Sequence, residues 1–295
     1  MMARLLSDPL GSIHALGSAV FCALFAWQVS AQAADQPGDV VSLGGSVTEI
    51  IYALGEQDRI LARDSTSSFP PGTQALPDVG YVRALSPEGV LSVGPKLIIA
   101  EEGAGPAEAV DVLRKSSVTF VDVPDYHSPD GVVDKILLVG QALGVPDKAE
   151  ALANDVSADL QNALNAVAAR PVGRRRVLFV LSTQGGRIMA SGANTAAHAI
   201  IELAGGENVV HSFTGYKPVT EEAIAVARPD VILMMDRQGG HGSSNADLWK
   251  MPALAQTPAA LNDAVVRIDG LLLLGFGPRT PSAISTLHTA LTEGS

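Results

Sequence analysis

The sequence predicts an α/β protein of two similar lobes with mainly parallel sheets, joined by a long helix, with a ligand cleft between the lobes. From residue 40 onward, buried strand-like segments alternate with amphipathic helical segments, a pattern typical of parallel α/β sheets. Residues 148–169 form a long alanine-rich stretch without Gly or Pro, and two segments in the two halves match each other without a gap. Clefts between lobes are the usual ligand sites.

The N-terminal region has the pattern of an export signal. Residues 15–29 form an apolar run that is too short for a comfortable membrane span, and Ala-Gln-Ala follows at residues 31–33. We therefore predict a signal peptide over residues 1–33. Cys22 lies inside the apolar run after Phe21, which argues against lipidation, and no cysteine remains after cleavage. Export without disulfides favours the periplasm.

The composition excludes several functional classes. The chain has 295 residues, of which 47% are hydrophobic, and a formal net charge of −11. This acidity argues against a nucleic-acid partner. There is no G-x-S-x-G elbow, H-E-x-x-H motif or Walker loop in the sequence. We therefore predict a protein that is not an enzyme.

The first lobe is predicted over residues 38–145. Its first helix begins after VVSLGG, with Ser46 as the cap and Gly55 as the stop. A loop rich in Ser, Pro and Gly follows the second strand. The predicted strands of this lobe are VVSLGG, ILARD, KLIIAEE and VTFVDVPD, and its later helices cover residues 106–115 and 129–143.

A linking helix over residues 146–170 and a second lobe over residues 171–295 complete the predicted organisation. SPEGVLSVGPKLIIA, from Ser86, matches TEEAIAVARPDVILM, from Thr220, so that Glu88 falls on Glu222. The predicted strands of the second lobe are VLFVLS, RIMASG, DVILMM and AVVRIDG, and its predicted helices are NTAAHAIIELAGG, TEEAIAVA and residues 281–291.

The stretch PDVGYVRALSPEGVL, residues 77–91, carries the main candidate site. Pro, Asp and Gly predict a turn, and Ser86 before Pro87 and Glu88 predicts a capped helix. Tyr81 therefore lies in a loop, two residues from Arg83. Tyrosine is a known axial ligand of haem iron, and a nearby cation favours the ionised phenol. Packing of the ring at a strand end is the alternative.

Other candidate residues follow predicted strands, whose carboxyl ends form the ligand-facing rim of a parallel sheet. Cations at this rim suggest an anionic ligand group such as a carboxylate. Tyr216 is a second tyrosine after a glycine and is expected to lie against a planar ligand. The rim candidates besides Tyr81 and Arg83 are Arg63, Arg187, Tyr216, Lys217, Arg237 and His241.

These motifs resemble those of periplasmic haem-binding proteins of bacterial ABC-type haem importers, a substrate-binding class whose lobes are joined by a rigid helix. The resemblance covers the whole mature chain and is most specific in DVGYVRALSPEGVL; MASGANTA, FTGYKPVTEEAI and MPALAQTPAA add to it. It implies that Tyr81 is the axial ligand of ferric haem and that Arg83 steadies its phenolate. It also implies docking on the membrane permease through Glu88 and Glu222.

One departure from the family concerns a second iron ligand. Some members carry a histidine after the strand that matches VLFVLS, whereas this chain has Ser-Thr-Gln-Gly-Gly-Arg at residues 182–187. A second haem is therefore in doubt, although His241 is available in a neighbouring loop.

The leading hypothesis is a monomeric periplasmic haem carrier that delivers its cargo to an ABC permease. One alternative is a ferric siderophore or cobalamin as cargo on the same fold. A third hypothesis is an exported hydrolase, for which the sequence supplies no pairing of nucleophile and base.

Overall fold

The computed structural model describes residues 38–171, 173–236 and 244–293. The predicted signal peptide, with Cys22, lies outside these ranges, and so do Arg237 and His241. Within the three ranges, no helix combines the length and the hydropathy needed to cross a membrane.

The first sheet has four parallel strands in the spatial order β2-β1-β3-β4. All four residues of β1 are buried, as expected for a parallel sheet that is covered on both faces. The strands are β1 (Val40–Leu43), β2 (Ile60–Arg63), β3 (Leu97–Glu101) and β4 (Thr119–Val123), and the helices are α1 (Gly45–Ala53), α2 (Pro87–Ser92), α3 (Ala107–Lys115) and α4 (Pro129–Leu143).

Two of the predicted helix caps have different outcomes. The prediction for Ser86 is confirmed, because its hydroxyl accepts a hydrogen bond from the backbone N–H of Gly89 at 3.2 Å. The prediction for Ser46 is wrong. Helix α1 begins two residues earlier, with Gly44 in the cap position at a φ of 116°, which is open to glycine, and the Ser46 hydroxyl donates to Glu101 instead. The Ser46 hydroxyl thus bonds to a residue distant in the chain and not to the backbone of its own helix.

A 24-residue helix, α5 (Pro146–Ala169), stands between the two sheets in the chain. Its apolar residues recur at helical spacing, and Ala149, Ala153, Val156 and Leu160 are buried along one face. At 1.5 Å per residue the helix is roughly 36 Å long.

The second sheet has six strands, five of them in the order β10-β9-β5-β6-β8, with β7 paired to β5. The prediction of mainly parallel strands is confirmed for β10, β9, β5 and β7, whereas β6 pairs antiparallel with both β5 and β8. The strands are β5 (Arg176–Ser182), β6 (Ile188–Ser191), β7 (Glu207–Asn208), β8 (Tyr216–Val219), β9 (Val231–Asp236) and β10 (Val265–Asp269).

The helices of this half pack on both faces of the second sheet, since the neighbouring β5 residues Leu178 and Phe179 belong to two different hydrophobic cores. They are α6 (Ala196–Leu203), α7 (Glu221–Ala227), α8 (Asn245–Trp249), α9 (Pro252–Ala255), α10 (Pro258–Leu261), α11 (Gly270–Leu274) and α12 (Thr280–Glu293). The internal sequence match is visible in the fold, since α2 leads into β3 as α7 leads into β9. Both helices have a hydroxyl cap, from Ser86 and Thr220.

One hydrophobic core runs through both sheets and α5. It includes Val40 from the first sheet, Val156 from α5, Phe179 from the second sheet and Leu287 from α12, and all four are buried. The two lobes are thus packed against a common apolar layer. The lobe boundaries at residues 38–145, 146–170 and 171–295 stay a prediction.

Candidate functional site

A cleft of about 810 Å³ opens where the strands of both sheets end. Arg63 ends β2 and Glu101 ends β3, while Asp236 ends β9 and Asp269 ends β10, and all four side chains line the cleft. Ligands of open parallel sheets bind outside the carboxyl ends of the strands. The position of the cleft therefore agrees with the rim that the sequence predicts.

The two walls of the cleft differ in polarity. The first lobe contributes a run of hydroxyl side chains at residues 65–68, which follows β2. The second lobe contributes Leu181, Met235, Leu271 and Leu274. Such a cleft suits a ligand with a broad apolar face and a polar edge. The apolar wall is not evident from the sequence, because its residues come from separate segments of the chain.

Tyr81 stands at the mouth of the cleft, with 49% of its surface exposed. Gly80 before it has a φ of 103°, which glycine adopts readily, and its N–H donates to the Asp78 carboxylate at 2.8 Å. A tight turn follows, in which the Ala84 N–H donates to the Tyr81 carbonyl at 2.8 Å. Within the described ranges no side chain hydrogen-bonds to the Tyr81 hydroxyl, so this phenol is available to a ligand.

The two arginines of this wall have different environments. Arg63 forms an ion pair with Asp78 at 2.6 Å and donates to the carbonyl oxygens of Thr73 and Asp64. The charge of Arg63 is therefore largely balanced by contacts within the protein. Arg83 lines the same cleft, is exposed, and has no carboxylate partner among the residues that the structure describes. Arg83 is therefore the cation of this pair that remains free for an anionic ligand.

Tyr216 faces the cleft from the second lobe, but its hydroxyl has protein partners. Burial raises the pKa of Tyr216, although hydrogen bonds of its hydroxyl with the Ala197 backbone and the Thr195 side chain and the charge of Arg83 act in the opposite direction. Its ring lies 6.2 Å from that of Phe179. Tyr216 is thus a neutral side chain held in the wall of the cleft, and its contact with a planar ligand stays a prediction.

A buried ionic network lies below the cleft, and the sequence analysis missed it. The Lys135 side chain is 1% exposed, and its ammonium donates to Glu101 at 2.8 Å, to Asp125 at 2.7 Å and to Ser46 at 3.1 Å. The sequence does contain a pattern that indicates the burial of Lys135. Lys135 occupies a position of α4 where the apolar residues recur at helical spacing, so that its face is buried.

The pKa values of the two carboxyl groups in this network shift in opposite directions. Burial raises the pKa of Glu101, which lines the cleft, despite the charge of Lys135. Burial alone would raise the pKa of Asp125, but the hydrogen bond from His127 and the charge of Lys135 lower it. Burial would lower the pKa of Lys135, whereas the two carboxylates raise it. One charged pair, Lys135 and Asp125, therefore persists beside a more easily protonated Glu101.

Two predicted cations do not line the cleft. Arg187 is exposed after a short 3₁₀ turn, and Lys217 extends over the ring of Phe213 at 5.5 Å. Lys217 follows Tyr216 directly on β8, and successive side chains of a strand point to opposite faces. Arg237 and His241, the other predicted rim residues, lie outside the described residues.

Glu88 and Glu222, the predicted docking residues, occupy matching places in the two lobes. Each is exposed in the first turn of a helix. In both cases the residue's own backbone N–H, and next the hydroxyl of the cap, Ser86 or Thr220, lower the pKa of the carboxyl group. Both side chains are therefore fixed anions at neutral pH.

Comparison with known proteins gives a consistent result. A family model described as "Periplasmic binding protein" matches residues 40–271. The periplasmic heme-binding protein BhuT, solved in complex with two hemes, is 41% identical with a TM-score of 0.83, and the match covers 86% of this chain and 98% of that one. The periplasmic heme-binding protein RhuT from Roseiflexus sp. RS-1, solved without ligand, is 37% identical with a TM-score of 0.83, over 87% and 98%.

A protein with another named ligand is also similar. The vitamin B12-binding protein of Vibrio cholerae is 27% identical over 254 residues, which cover 85% of this chain and 88% of that protein.

Proposed function

This chain belongs to the periplasmic binding protein family, and from that membership we propose that it captures ferric haem in the cleft through Tyr81 and delivers it to the permease of an ABC importer. The family and the structural neighbours reported above are solute-binding proteins and not enzymes. The haem is the cargo in this proposal.

The single observation that carries the proposal is the phenol of Tyr81, which stands at the mouth of the cleft without a hydrogen-bond partner among the described residues. A phenolate is a hard oxygen ligand for ferric iron, as in haem proteins with a tyrosine axial ligand. Arg83 lines the same cleft and offers a positive charge to an anionic group of the ligand. Half of the Tyr81 surface is accessible, so the ring reaches a ligand without rearrangement of the core.

The rest of the cleft matches the chemistry of a porphyrin. The apolar wall of Leu181, Met235, Leu271 and Leu274 offers contact to a flat hydrophobic face. Haem also carries two carboxylates, and Arg83 and the hydroxyl groups of Ser65 and Ser68 provide hydrogen-bond donors for them, whereas the hydroxyls of Thr66 and Ser67 donate to Asp64. The names of the two relatives above 35% identity, both called heme-binding, support the same cargo.

The first prediction is tested by optical titration of the purified mature protein with ferric haem. Tyr81→Phe is expected to weaken haem affinity by at least about tenfold, equivalent to about 1.4 kcal/mol, and to abolish the phenolate-to-iron charge-transfer band. Tyr126→Phe is the matched control, since Tyr126 is 60% exposed and does not line the cleft. An unchanged spectrum in Tyr81→Phe would show that the ligand assignment is wrong.

The same titration reports the stoichiometry. We expect saturation near one equivalent, because the cleft presents one free phenol within the described residues. Saturation near two equivalents would instead make His241 the first residue to replace as a second iron ligand.

Cobalamin is the second candidate cargo, favoured by the similarity to the vitamin B12-binding protein. Cobalamin carries its own cobalt ligands, so Tyr81 would then be a contact residue only. Competition between cobalamin and ferric haem decides between them: preferential binding of cobalamin, with equal affinity in Tyr81→Phe, would reject haem as cargo.

Delivery to the permease uses the exposed carboxylates of Glu88 and Glu222 in this proposal. Two fixed anions on different lobes pair with basic residues on the permease and register that both lobes are in place. The proposed location is the periplasm, with the protein acting as a monomer.

A further inference from the structure

A buried carboxylate, Asp64, lies behind the hydroxyl run of the cleft. Asp64 directly follows β2 and is 0% exposed, and no cation among the described residues forms an ion pair with it. Its Oδ1 atom accepts hydrogen bonds from the Gly44 N–H at 2.9 Å and from the Ser67 hydroxyl at 2.7 Å. Its Oδ2 atom accepts from the Thr66 N–H at 2.8 Å and from the Thr66 hydroxyl at 2.5 Å. Four donors fill the acceptor sites of one carboxylate.

The surroundings of Asp64 explain why it is buried without a cation. Helix α1 begins directly after Gly44, so the carboxylate lies at the N-terminus of this helix, where negative charge is favourable. A buried polar group is tolerated when its hydrogen-bonding capacity is filled. The arrangement of the four donors therefore depends on this one side chain.

A chain of three buried hydroxyl groups leads from β1 to Asp64. Because the Ser67 hydroxyl gives its one proton to Asp64, it accepts a hydrogen bond from the Thr48 hydroxyl, at 2.7 Å. The Thr48 hydroxyl accepts in turn from Ser42, at 2.6 Å. All three hydroxyl residues are buried. The carboxylate thus sets the donor direction of a chain that connects β1, α1 and the loop after β2.

Asp64 divides the hydroxyl run into two pairs. The hydroxyls of Thr66 and Ser67 donate to Asp64 and are held by it. Ser65 and Ser68 line the cleft, and the described residues supply no hydrogen-bond partner for their hydroxyls. The two hydroxyls available to a ligand therefore lie on either side of the two that Asp64 fixes.

The loop after β2 also holds the segment that presents the phenol. The Ser65 N–H donates to the Gly80 carbonyl at 2.9 Å. One backbone hydrogen bond thus joins the residue after Asp64 to the residue before Tyr81. The Asp64 N–H donates to the Ser42 carbonyl at 3.2 Å, so the backbone of Asp64 is attached to β1 while its side chain fixes the loop.

We infer that Asp64 is a positioning residue of the cargo site, which orients the hydroxyls of Ser65 and Ser68 toward the carboxylates of the ligand and holds the loop before Tyr81. Asp64 does not line the cleft, so it acts through these neighbours and does not touch the ligand. The inference rests on the proposed function, since it concerns the same cleft. A site is held in its binding geometry by buried hydrogen bonds behind the residues that contact the ligand.

Asp64→Asn tests the inference with a side chain of the same shape. The amide has one acceptor oxygen, and its nitrogen presents hydrogens to the other two donors, so the N–H of either Gly44 or Thr66 loses its acceptor. In the free mature protein we expect the backbone amides of residues 64–81 to exchange hydrogen at least about tenfold faster, as measured by mass spectrometry. In the haem titration we expect at least about tenfold weaker binding and a shifted phenolate-to-iron charge-transfer band.

Two further variants make the test specific. Ser42→Ala is the matched control, because it removes the buried far end of the hydroxyl chain while Thr48 keeps its bond to Ser67. It should change haem affinity and the exchange of residues 64–81 by less than about twofold. Thr66→Val removes one of the four hydrogen bonds of Asp64 without leaving a buried donor unpaired. It should speed the same exchange by about threefold, and it serves as the test if Asp64→Asn does not fold.

The outcomes separate this inference from the proposed cargo. Unchanged exchange at residues 64–81 in the Asp64 and Thr66 variants, or equal effects in Ser42→Ala, would overturn the role of Asp64. Faster exchange with an unaltered charge-transfer band and haem affinity would also overturn it, since Asp64 would then stabilise the lobe without positioning the site. If the wild-type protein does not bind haem, the proposed cargo is rejected, and selectively faster exchange in the free Asp64→Asn variant still supports the control of the Tyr81 loop by Asp64.

Discussion

Lys135 is buried between Glu101 and Asp125, and its ammonium also contacts the Gly275 carbonyl of the second lobe at 3.4 Å. A buried cation of this kind is costly to desolvate, and its neighbours become uncompensated charges when it is removed. Because Glu101 belongs to the cleft lining, the position of that wall depends on a residue that does not reach the cleft itself. Lys135 is a positioning residue in this sense.

Lys135→Met is expected to lower the free energy of unfolding by about 3 kcal/mol at pH 7, since it leaves two partly buried carboxylates without their cation. Urea denaturation measures this loss. Lys148→Met is the control, because the ion pair of Lys148 with Glu56 is exposed on the lysine side and is worth less than about 1 kcal/mol.

The loss in Lys135→Met should depend on pH. The folded-state pKa of Asp125 lies below its unfolded value, so its stabilisation is present above the unfolded pKa and disappears as the pH falls through the folded pKa. Without Lys135, both carboxyl groups take up protons more readily. The deficit of the variant should therefore shrink from pH 7 to about pH 4. An equal deficit at both pH values would mean that Lys135 acts through packing alone.

At the scale of elements, the loop from Asp78 to Leu85 presents Tyr81. The two β-bridge partners Arg63 and Asp78 fix its start next to β2. Its end is fixed by two backbone hydrogen bonds at 2.8 Å that join Val82 and Leu85 to Gly105. The loop is thus attached to both neighbouring segments of the first sheet. Its geometry, rather than the tyrosine alone, places the phenol at the cleft mouth.

Gly80→Ala tests this loop. A φ of 103° is unfavourable for alanine, so the substitution should cost about 1–3 kcal/mol or shift the loop and reduce haem affinity. Thermal unfolding and the haem titration together detect either response. Gly72→Ala should change stability by less than about 0.5 kcal/mol, because an added Cβ there meets only ordinary contacts with Tyr52. If both alanine variants behave alike, the strain at Gly80 has no role.

At the scale of the whole molecule, Arg279 holds the two lobes together. Its guanidinium donates to Glu49 of α1 at 2.9 Å and lies 3.6 Å from the centre of the Phe69 ring. Its backbone N–H donates to the same carboxylate at 3.2 Å. Glu49 is buried, so this pair is not a solvated surface contact. Together with α5 and the shared core, it favours small movements between the lobes.

Arg279→Met is expected to destabilise the protein by about 2–3 kcal/mol, because the buried Glu49 loses its cation. Arg114→Met is a matched control, since Arg114 also pairs with a carboxylate, Asp122, and lies over a ring, Phe120, but is exposed. Its loss should stay below about 1 kcal/mol. Urea denaturation compares the two, and equal losses would show that Arg279 contributes no more than a surface ion pair.

The sequence alone determined the features that depend on local pattern. Buried strands, the helix α5, the Ser86 cap and the loop that carries Tyr81 and Arg83 follow from apolar periodicity and from turn residues. The internal match between the segments from Ser86 and Thr220 also needed no structure. These predictions concern residues that are neighbours in the chain, where backbone preferences and burial act together.

Only the tertiary structure decided which distant residues meet. Glu49 and Arg279 are 230 positions apart, and Glu101 and Lys135 are 34 apart. Arg187 and Lys217 do not line the cleft in the structure. Ser46 donates a hydrogen bond to Glu101 and does not cap helix α1. A local sequence pattern does not determine the distance between side chains that are this far apart in the chain. Their contacts depend on how sheets and helices pack, and that packing creates the cleft.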